Sequence, residues 1–428
     1  MHSLPETRDD AGEHRPLLAI VYGDGSTSAM VLAEAAAPVC DIVWVVDSDR
    51  TSQKWMLRLV RKLGQTLDIA SMSEEEAAAA LGLLRPDGIV AYGEVQLETA
   101  SVLATRLGLD YHNPTVAGRL RDKVRQRQAL ADGGLPVPRC VVVPSPARED
   151  EIDALIDGVT FPVVLKPRHG AASRETHLVT DGVHLRKLID ELPSGGAEPF
   201  MVVEEYMAGA TPPPSPMFYD YVSVESVVAR GQISHVAVTG RLHPAEPFRE
   251  TGLVVPSDYP PSVVADVLHV ASEAIEALGV RTGCLHTEIK MTDKGLRVLE
   301  VNGRLGGFVP EVVGRAAPGV NLYEISQRVA VGEQVTFDGP VPTEHVGYVV
   351  VRQPPQWARR VTGVEGLDRV ASYPGVDAVS LARPPGEEVD WRRGSHEYVF
   401  SVLGAAADYE GVQALEEFID NEVTVSYE

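Results

Sequence analysis

Cysteine is scarce, and the three present, Cys40, Cys140 and Cys284, are too scattered for a disulfide framework or a zinc spacing. Positive charge is also in deficit: 38 Lys and Arg stand against 61 Asp and Glu, a formal net charge of −23. Such a chain repels polyanions, so no nucleic-acid or anionic-membrane partner is expected. A phosphate-bearing ligand stays feasible if cations are gathered locally or a metal supplies them. No apolar run reaches transmembrane length, and the opening MHSLPETRDDAGEHRP is polar and acidic, unlike a signal peptide. The expectation is a soluble, cytoplasmic protein. Tandem repeats are absent too, which sets repeat architectures aside.

What is present is ordinary globular composition, 44% hydrophobic and 23% charged, over 428 residues. That length predicts two or three domains. The stretch RPLLAIVYGDGSTSAMVLAEAAAPVCDIVWVVDSD reads as strand, Gly-rich turn, helix and strand, the start of a parallel α/β domain. Gly23, Gly25 and Ser28 fall at the spacing of a dinucleotide fingerprint, but the third position is neither Gly nor Ala, so the turn is read as structural. DKVRQRQALADGG predicts a helix. FPVVLKPRHGAASRETHLV predicts two strands around a Gly/Ala/Ser loop, and TPPPSP a stiff loop. YDYVSVESVVARGQISHVAVTGR reads as two antiparallel strands about Gly231, and residues 261 to 279 as a helix.

The most informative stretch is GCLHTEIKMTDKGLRVLEVNGRLGG, residues 283 to 307. Strand alternation puts His286, Glu288 and Lys290 on one face, with Leu285, Thr287 and Ile289 behind. On the return strand Glu300, Asn302 and Arg304 share a face, with Leu299, Val301 and Gly303 behind. A three-residue loop Asp293-Lys294-Gly295 would set Thr292 opposite Leu296, Glu288 opposite Glu300 and His286 opposite Asn302. Facing carboxylates repel unless a cation lies between them or one holds a proton. They are also the hard oxygen donors that Mg²⁺ takes when it binds phosphates.

Five stretches in this order, DKVRQRQALADGGLPVP, FPVVLKPRHGAASRE, VVEEYMAG, FRETGLVVPS and VLEVNGRLGG with PEVV after it, resemble the ATP-grasp superfamily. They are most similar to its L-amino-acid and peptide ligases of peptide-antibiotic biosynthesis. The resemblance implies an α/β and α+β fold in four parts. These are a Rossmann-like α/β domain over 1–125, an ATP-gripping small lobe or lid over 126–205, a large lobe with the hairpin over 206–335, and a mostly β addition over 336–428.

It implies ATP and one or two Mg²⁺ ions as cofactors, with Mn²⁺ able to substitute. The expected partners are a small carboxylic acid and an amino acid or peptide, and a homodimer would be ordinary for the family. Lys123 and Lys166 are suitable point charges for phosphates. In the loop from His169 to Arg174, Gly170, Ala171, Ala172 and Ser173 lack bulk, so backbone N–H groups can approach phosphate oxygens. The resemblance places this loop over ATP as a lid. It makes VVEEYMAG the adenine hinge, with Met207 packing on the base and Glu204 or Glu205 accepting from adenine or ribose. Glu225 is expected on the nucleotide or a substrate.

The resemblance makes Glu288, Glu300 and Asn302 the metal set and puts Arg304 beside an acyl phosphate. Gly306 and Gly307 would admit the substrate, with Arg241, Arg249 and His286 as further candidates. One departure stands out: in RETGLVVP the family's usual His is Leu253, with His286 or His243 as substitutes. The implied activity joins a carboxylate to an amine, releasing ADP and phosphate. Alternatives are a purine-pathway or carboxylase-type member, a non-catalytic ATP-binding regulator, and, resting on the imperfect Gly23 turn alone, an oxidoreductase.

Overall fold

A computed structural model describes residues 15–144, 148–191, 200–209 and 216–428. The expectations for the opening residues 1–14 and for most of TPPPSP lie outside these. Strands Leu17–Tyr22, Asp41–Val46, Gln65–Asp68 and Gly88–Ala91 form a parallel sheet with Leu17–Tyr22 between Asp41–Val46 and Gly88–Ala91. LLAIVY is apolar throughout because both faces are covered. Leu18 and Ile20 pack with Leu32 and Leu57 on one side, while Ala19 and Val21 pack with Leu81 and Leu103 on the other.

A second sheet, wholly antiparallel, joins Cys140–Pro144, Phe200–Glu205, Val163–Pro167 and His177–Val179 in that order. Helices Glu149–Gly158 and Gly182–Asp190 close its apolar face through Ile152, Leu185 and Ile189. The third sheet has eight antiparallel strands, ordered Gly295–Asn302, Gly283–Thr292, Phe218–Ala229, Gln232–Leu242, Gly252–Val255, Val346–Arg352, Phe400–Ala406 and Val376–Leu381. Gly252–Val255 pairs directly with Val346–Arg352, so the C-terminal strands continue the sheet that carries the hairpin.

Helix Pro261–Leu278 lies behind the hairpin, where Ala274, Ile275 and Leu278 meet Leu285 and Val301, and Ala271 meets Ile289. Burying that face commits the alternate side chains, His286, Glu288 and Lys290, to the opposite one. Among the described residues no helix is long and apolar enough to cross a membrane.

The hairpin differs from the expected one at two points. Thr292 pairs with Gly295 and Met291 with Leu296, so the loop is two residues long, with Gly295 at φ +94°. A bulge between Glu288 and Ile289 then restores the offset, because Leu299 is the extra residue. Glu288 opposite Glu300 and His286 opposite Asn302 are therefore as expected. Leu299 is not: it lines the cleft beside Glu300 instead of lying behind.

Candidate functional site

The small-residue loop and the second sheet close over the hairpin end of the third sheet. The cleft between them is walled by Lys123, Lys166, Glu204, Glu205, Met207, Glu288, Lys290 and Glu300, with Tyr206, Tyr219, Tyr221 and Phe248 as aromatic walls. Gly170, Ala171, Ala172 and Ser173 form its roof. Ala172 and Ser173 hold left-handed backbone (φ +57° and +55°), which non-glycine residues seldom adopt. This turns the loop sharply, and Ser173 Oγ ties it to Phe248 O at 2.8 Å.

Lys123 opens the helix Lys123–Asp132, whose N-cap Asp122 accepts from Val124 and Arg125 N–H. A cation at a helix N-terminus is unfavourable; its Nζ is held instead by Gly170 O at 2.8 Å and Glu300 Oε1 at 2.9 Å. One side chain so stitches the roof to the hairpin. Lys166 Nζ lies 2.5 Å from Glu204 Oε2, and Arg127 Nε donates to Glu204 Oε1 at 2.8 Å. Burial pushes the Glu204 carboxyl up, but Arg127 and Lys166 more than offset this and hold it at about 2. Glu204 is thus taken up by two cations, and Glu205 pairs with Lys294 at 3.0 Å.

Two rows run across the neighbouring strands of the third sheet. Glu225, His286 and Asn302 stand in one, Ser223, Glu288 and Glu300 in the next. His286 Nδ1 is 2.8 Å from Glu225 Oε1, and its Nε2 is 3.4 Å from Glu288 Oε1. Burial favours the neutral ring, but Glu225 and Glu288 outweigh it and raise His286 to about 9, so it is charged at neutral pH. Burial likewise raises Glu288, yet His286, Arg241 and Arg304 hold it at about 2. Arg241 Nη1 pairs with Glu250 Oε1 at 2.6 Å, while its Nη2 donates to Ser223 Oγ at 2.8 Å. In this cluster the cations His286 and Arg241 face the carboxylates of Glu225, Glu288 and Glu250, leaving one negative charge in excess.

Not every expected residue lines the cleft. Asn302, Glu225, His286 and Arg241 are buried and do not line it, and Arg304, Gly306 and Gly307 are not among its walls either. A side chain at Gly306 would meet His286 Nδ1 at 2.6 Å, whereas Gly307 has open space. Arg249 is no charge for a substrate: it is buried and donates to Glu246 O and Pro354 O. His243 is exposed with Nε2 on Pro216 O, and Leu253 is buried in an apolar cluster with Leu305 and Val309.

Two residues without a role in the sequence reading belong here. Arg127 reaches Glu204 from a helix turn that looks merely solvated in sequence. Glu94, in AYGE just past strand Gly88–Ala91, points its Oε2 at Arg304 Nη2, 3.7 Å away. Burial, then the Glu300 charge, raise its carboxyl. Its signal was its place beyond the carboxyl end of a parallel strand, where α/β folds bind ligands.

For Mg²⁺ the donor set fits. Glu288 and Glu300 each make one ion pair through Oε1, face each other in register and line the cleft, and Asn302 adds a neutral amide alongside. Among the described residues no group of three or more His, Cys, Asp and Glu is placed to hold a metal ion, so the two carboxylates and the amide are the donors on offer.

Residues 120–308, from the helix before Lys123 to the residue after Gly307, match the family model of the ATP-grasp domain. Over these residues the chain is similar to an ATP-grasp domain. The likeness of fold runs along nearly the whole chain: an L-amino acid ligase from Bacillus licheniformis superposes with a TM-score of 0.75 at 18% identity, over 97% of this chain and 100% of that one. An N5-carboxyaminoimidazole ribonucleotide synthetase from Thermus thermophilus gives 0.67 at 16% identity, over 95% and 98%.

In sequence, y4rH of Sinorhizobium fredii is 24% identical over 80% of this chain and 65% of its own length. Mouse carnosine synthase 1 is 26% identical over 77% of this chain and 41% of its own. Alanine–anticapsin ligase of Bacillus subtilis is 25% identical over 52% and 49%. The chain thus spans between two fifths and two thirds of the length of these relatives.

Proposed function

We propose that this protein is an ATP-grasp enzyme, an ATP- and Mg²⁺-dependent ligase that activates a carboxylate as an acyl phosphate and joins it to the amine of an amino acid or peptide. The observation that carries this is the facing pair Glu288 and Glu300 on the floor of a cleft whose walls and roof bring Lys123, Lys166 and small-residue backbone against it. Four phosphate charges need that much positive potential in a chain of net charge −23. The amino-acid ligases among its relatives and structural neighbours support the reading.

In it, Lys123 and Lys166 hold phosphates, and the N–H groups of 171–173 approach them from above. Glu288, Glu300 and Asn302 would hold Mg²⁺, which would supply charge neutralisation of the phosphates. The aromatic wall of Tyr206, Tyr219 and Phe248, with Met207, gives the base an apolar slot. Arg304, fixed by Leu305 O at 3.0 Å and facing Glu94, is placed for charge that develops on the transferring phosphoryl and acyl oxygens. Positioning and electrostatics carry most of such a reaction, since phosphate is the leaving group.

The test is phosphate release from Mg·ATP with a panel of amino acids and short peptides, products followed by mass spectrometry. A condensed product of summed mass less water, with ADP and phosphate, supports the ligase. ADP with only a phosphorylated acceptor would replace it by a kinase. The purine-pathway reading, favoured by neighbours such as the Thermus enzyme, would instead show turnover with an aminoimidazole ribonucleotide and bicarbonate.

A further inference from the structure

His286 is 4% exposed and is not among the walls of the cleft, so it does not meet a ligand there, yet it touches one member of the facing carboxylate pair. It stands on strand Gly283–Thr292, two residues before Glu288 on the same face, with Glu225 and Asn302 as its cross-strand neighbours. Its ring meets four groups. Nδ1 is 2.8 Å from Glu225 Oε1, while Nε2 is 3.1 Å from Arg241 Nη2 and 3.4 Å from Glu288 Oε1. The fourth is the backbone at Gly306, where a Cβ would lie 2.6 Å from Nδ1 and 2.8 Å from Cε1.

Most of these neighbours are themselves tied down. Glu225 is buried, and its Oε1 also accepts from Ser223 Oγ at 3.0 Å. Arg241 donates to the same Ser223 Oγ at 2.8 Å and to Glu250 Oε1 at 2.6 Å, and Ser223 Oγ also meets Thr239 Oγ1. The ring is thus framed by three adjacent strands, Phe218–Ala229, Gln232–Leu242 and Gly283–Thr292. It cannot turn without leaving buried polar groups unpaired. Glu288 is the one group of this set that is also a wall of the cleft.

We propose that His286 is a positioning residue for the metal site. Through Nε2 it fixes the Glu288 carboxylate for Mg²⁺, and by packing on Gly306 it ties that carboxylate to the turn that follows Arg304. The inference rests on the ligase reading above, from which it takes the metal. A glutamate left to itself opposite Glu300 would swing away, since facing carboxylates repel. A fixed partner at Oε1 prevents this. Glu300 has its own such partner, Lys123 Nζ at 2.9 Å from its Oε1, so each carboxylate of the pair is held by one oxygen from a buried side chain. Residues that orient a metal ligand in this way typically contribute about 10–100-fold to metal affinity.

The test uses the shape of the imidazole. Asn puts an amide nitrogen near the position of Nδ1 and Gln puts one near that of Nε2, while both remove the ring alike. Each is made together with Glu225→Gln, so that no buried anion is left without its partner. Mn²⁺ binding in the presence of ADP is read from the electron paramagnetic resonance signal of the free ion. Its affinity should fall about tenfold or more in His286→Asn and much less in His286→Gln. ADP binding in EDTA, followed by calorimetry, should stay as in Glu225→Gln alone. Gly306→Ala presses on the ring without removing any of its atoms, and should weaken Mn²⁺ binding too.

Equal Mn²⁺ affinities in the Asn and Gln variants, or a wild-type affinity in the Asn variant, overturn the proposal. So does a parallel loss of Mn²⁺ binding and metal-free ADP binding, or of the folded circular dichroism spectrum in both variants, which makes His286 a strut of the fold. If wild type binds Mn²⁺ and the two variants do not differ, the metal site stands and only His286 loses its role. Wild-type protein that binds ADP but no Mn²⁺ would remove the metal assignment of the ligase reading and this inference together.

Discussion

Glu204 gives the most quantitative prediction. Replacing it by Gln keeps the shape but removes a charge that two buried cations share, Arg127 at 2.8 Å and Lys166 at 2.5 Å. Removing one partner of a buried pair costs roughly 3–5 kcal/mol, because the remaining charge is left uncompensated. Arg127 keeps its bond to Leu299 O at 2.6 Å, and the amide oxygen can still accept from one cation, which favours the lower end. A second route gives the same size. The carboxyl falls from 4.5 to about 2 on folding, and at about 1.4 kcal/mol per unit this is about 3 kcal/mol.

The sign follows from a depressed folded value: the contribution is full above the unfolded value and is lost as pH falls through the folded one. Urea unfolding followed by far-UV circular dichroism should therefore show Glu204→Gln about 3 kcal/mol less stable at pH 7. The gap to wild type should close between about pH 5 and about pH 2. A loss under about 1 kcal/mol, or a gap that does not change with pH, would refute the reasoning that Glu204 is held as a buried anion.

Other variants probe the chemistry. Glu300→Gln is expected to abolish phosphate release with Mg²⁺ while leaving the circular dichroism spectrum unchanged; full activity would remove Glu300 from the metal set. Arg304→Ala should lower kcat by about 10²-fold or more while ATP affinity, read by calorimetry, changes little, and an equal loss in both would place Arg304 on ground-state ATP instead. Gly394→Ala cannot keep φ +76° and the contact with Ala172 O without strain, so the roof loop should loosen. Limited trypsin digestion should then cut after Arg168 or Arg174 faster than in wild type, and an unchanged rate would show that the C-terminal segment does not hold the loop.

Much of the fold was legible because it depends on local period. Alternation in GCLHTEIKMT forces His286 and Glu288 to one side once Leu285 and Ile289 are buried. The Glu288–Glu300 and His286–Asn302 pairings were found, although by a route that differs from the real one: a shorter loop and a bulge at Leu299 cancel. No sequence rule places that bulge, since it answers to the packing of neighbouring strands. The direct pairing of Gly252–Val255 with Val346–Arg352 was likewise hidden, because nothing in either short strand names its partner across some ninety residues.

By itself the sequence determined the chemistry on offer: few cations in an acidic chain, small residues in a loop after Lys166, and two glutamates bound to face each other across a hairpin. Only the tertiary structure decided which groups are free to use it. Glu204 looked like an available acceptor until Arg127, 77 residues away, was seen to hold it. Lys123 meets Glu300 across 177 residues, and Ser395 N–H reaches the Ala172 carbonyl of the roof loop from far along the chain. A side chain's face follows from the geometry of its own strand. Its partner, and so its charge and its freedom to act, follows from how distant strands pack, which only the folded chain fixes.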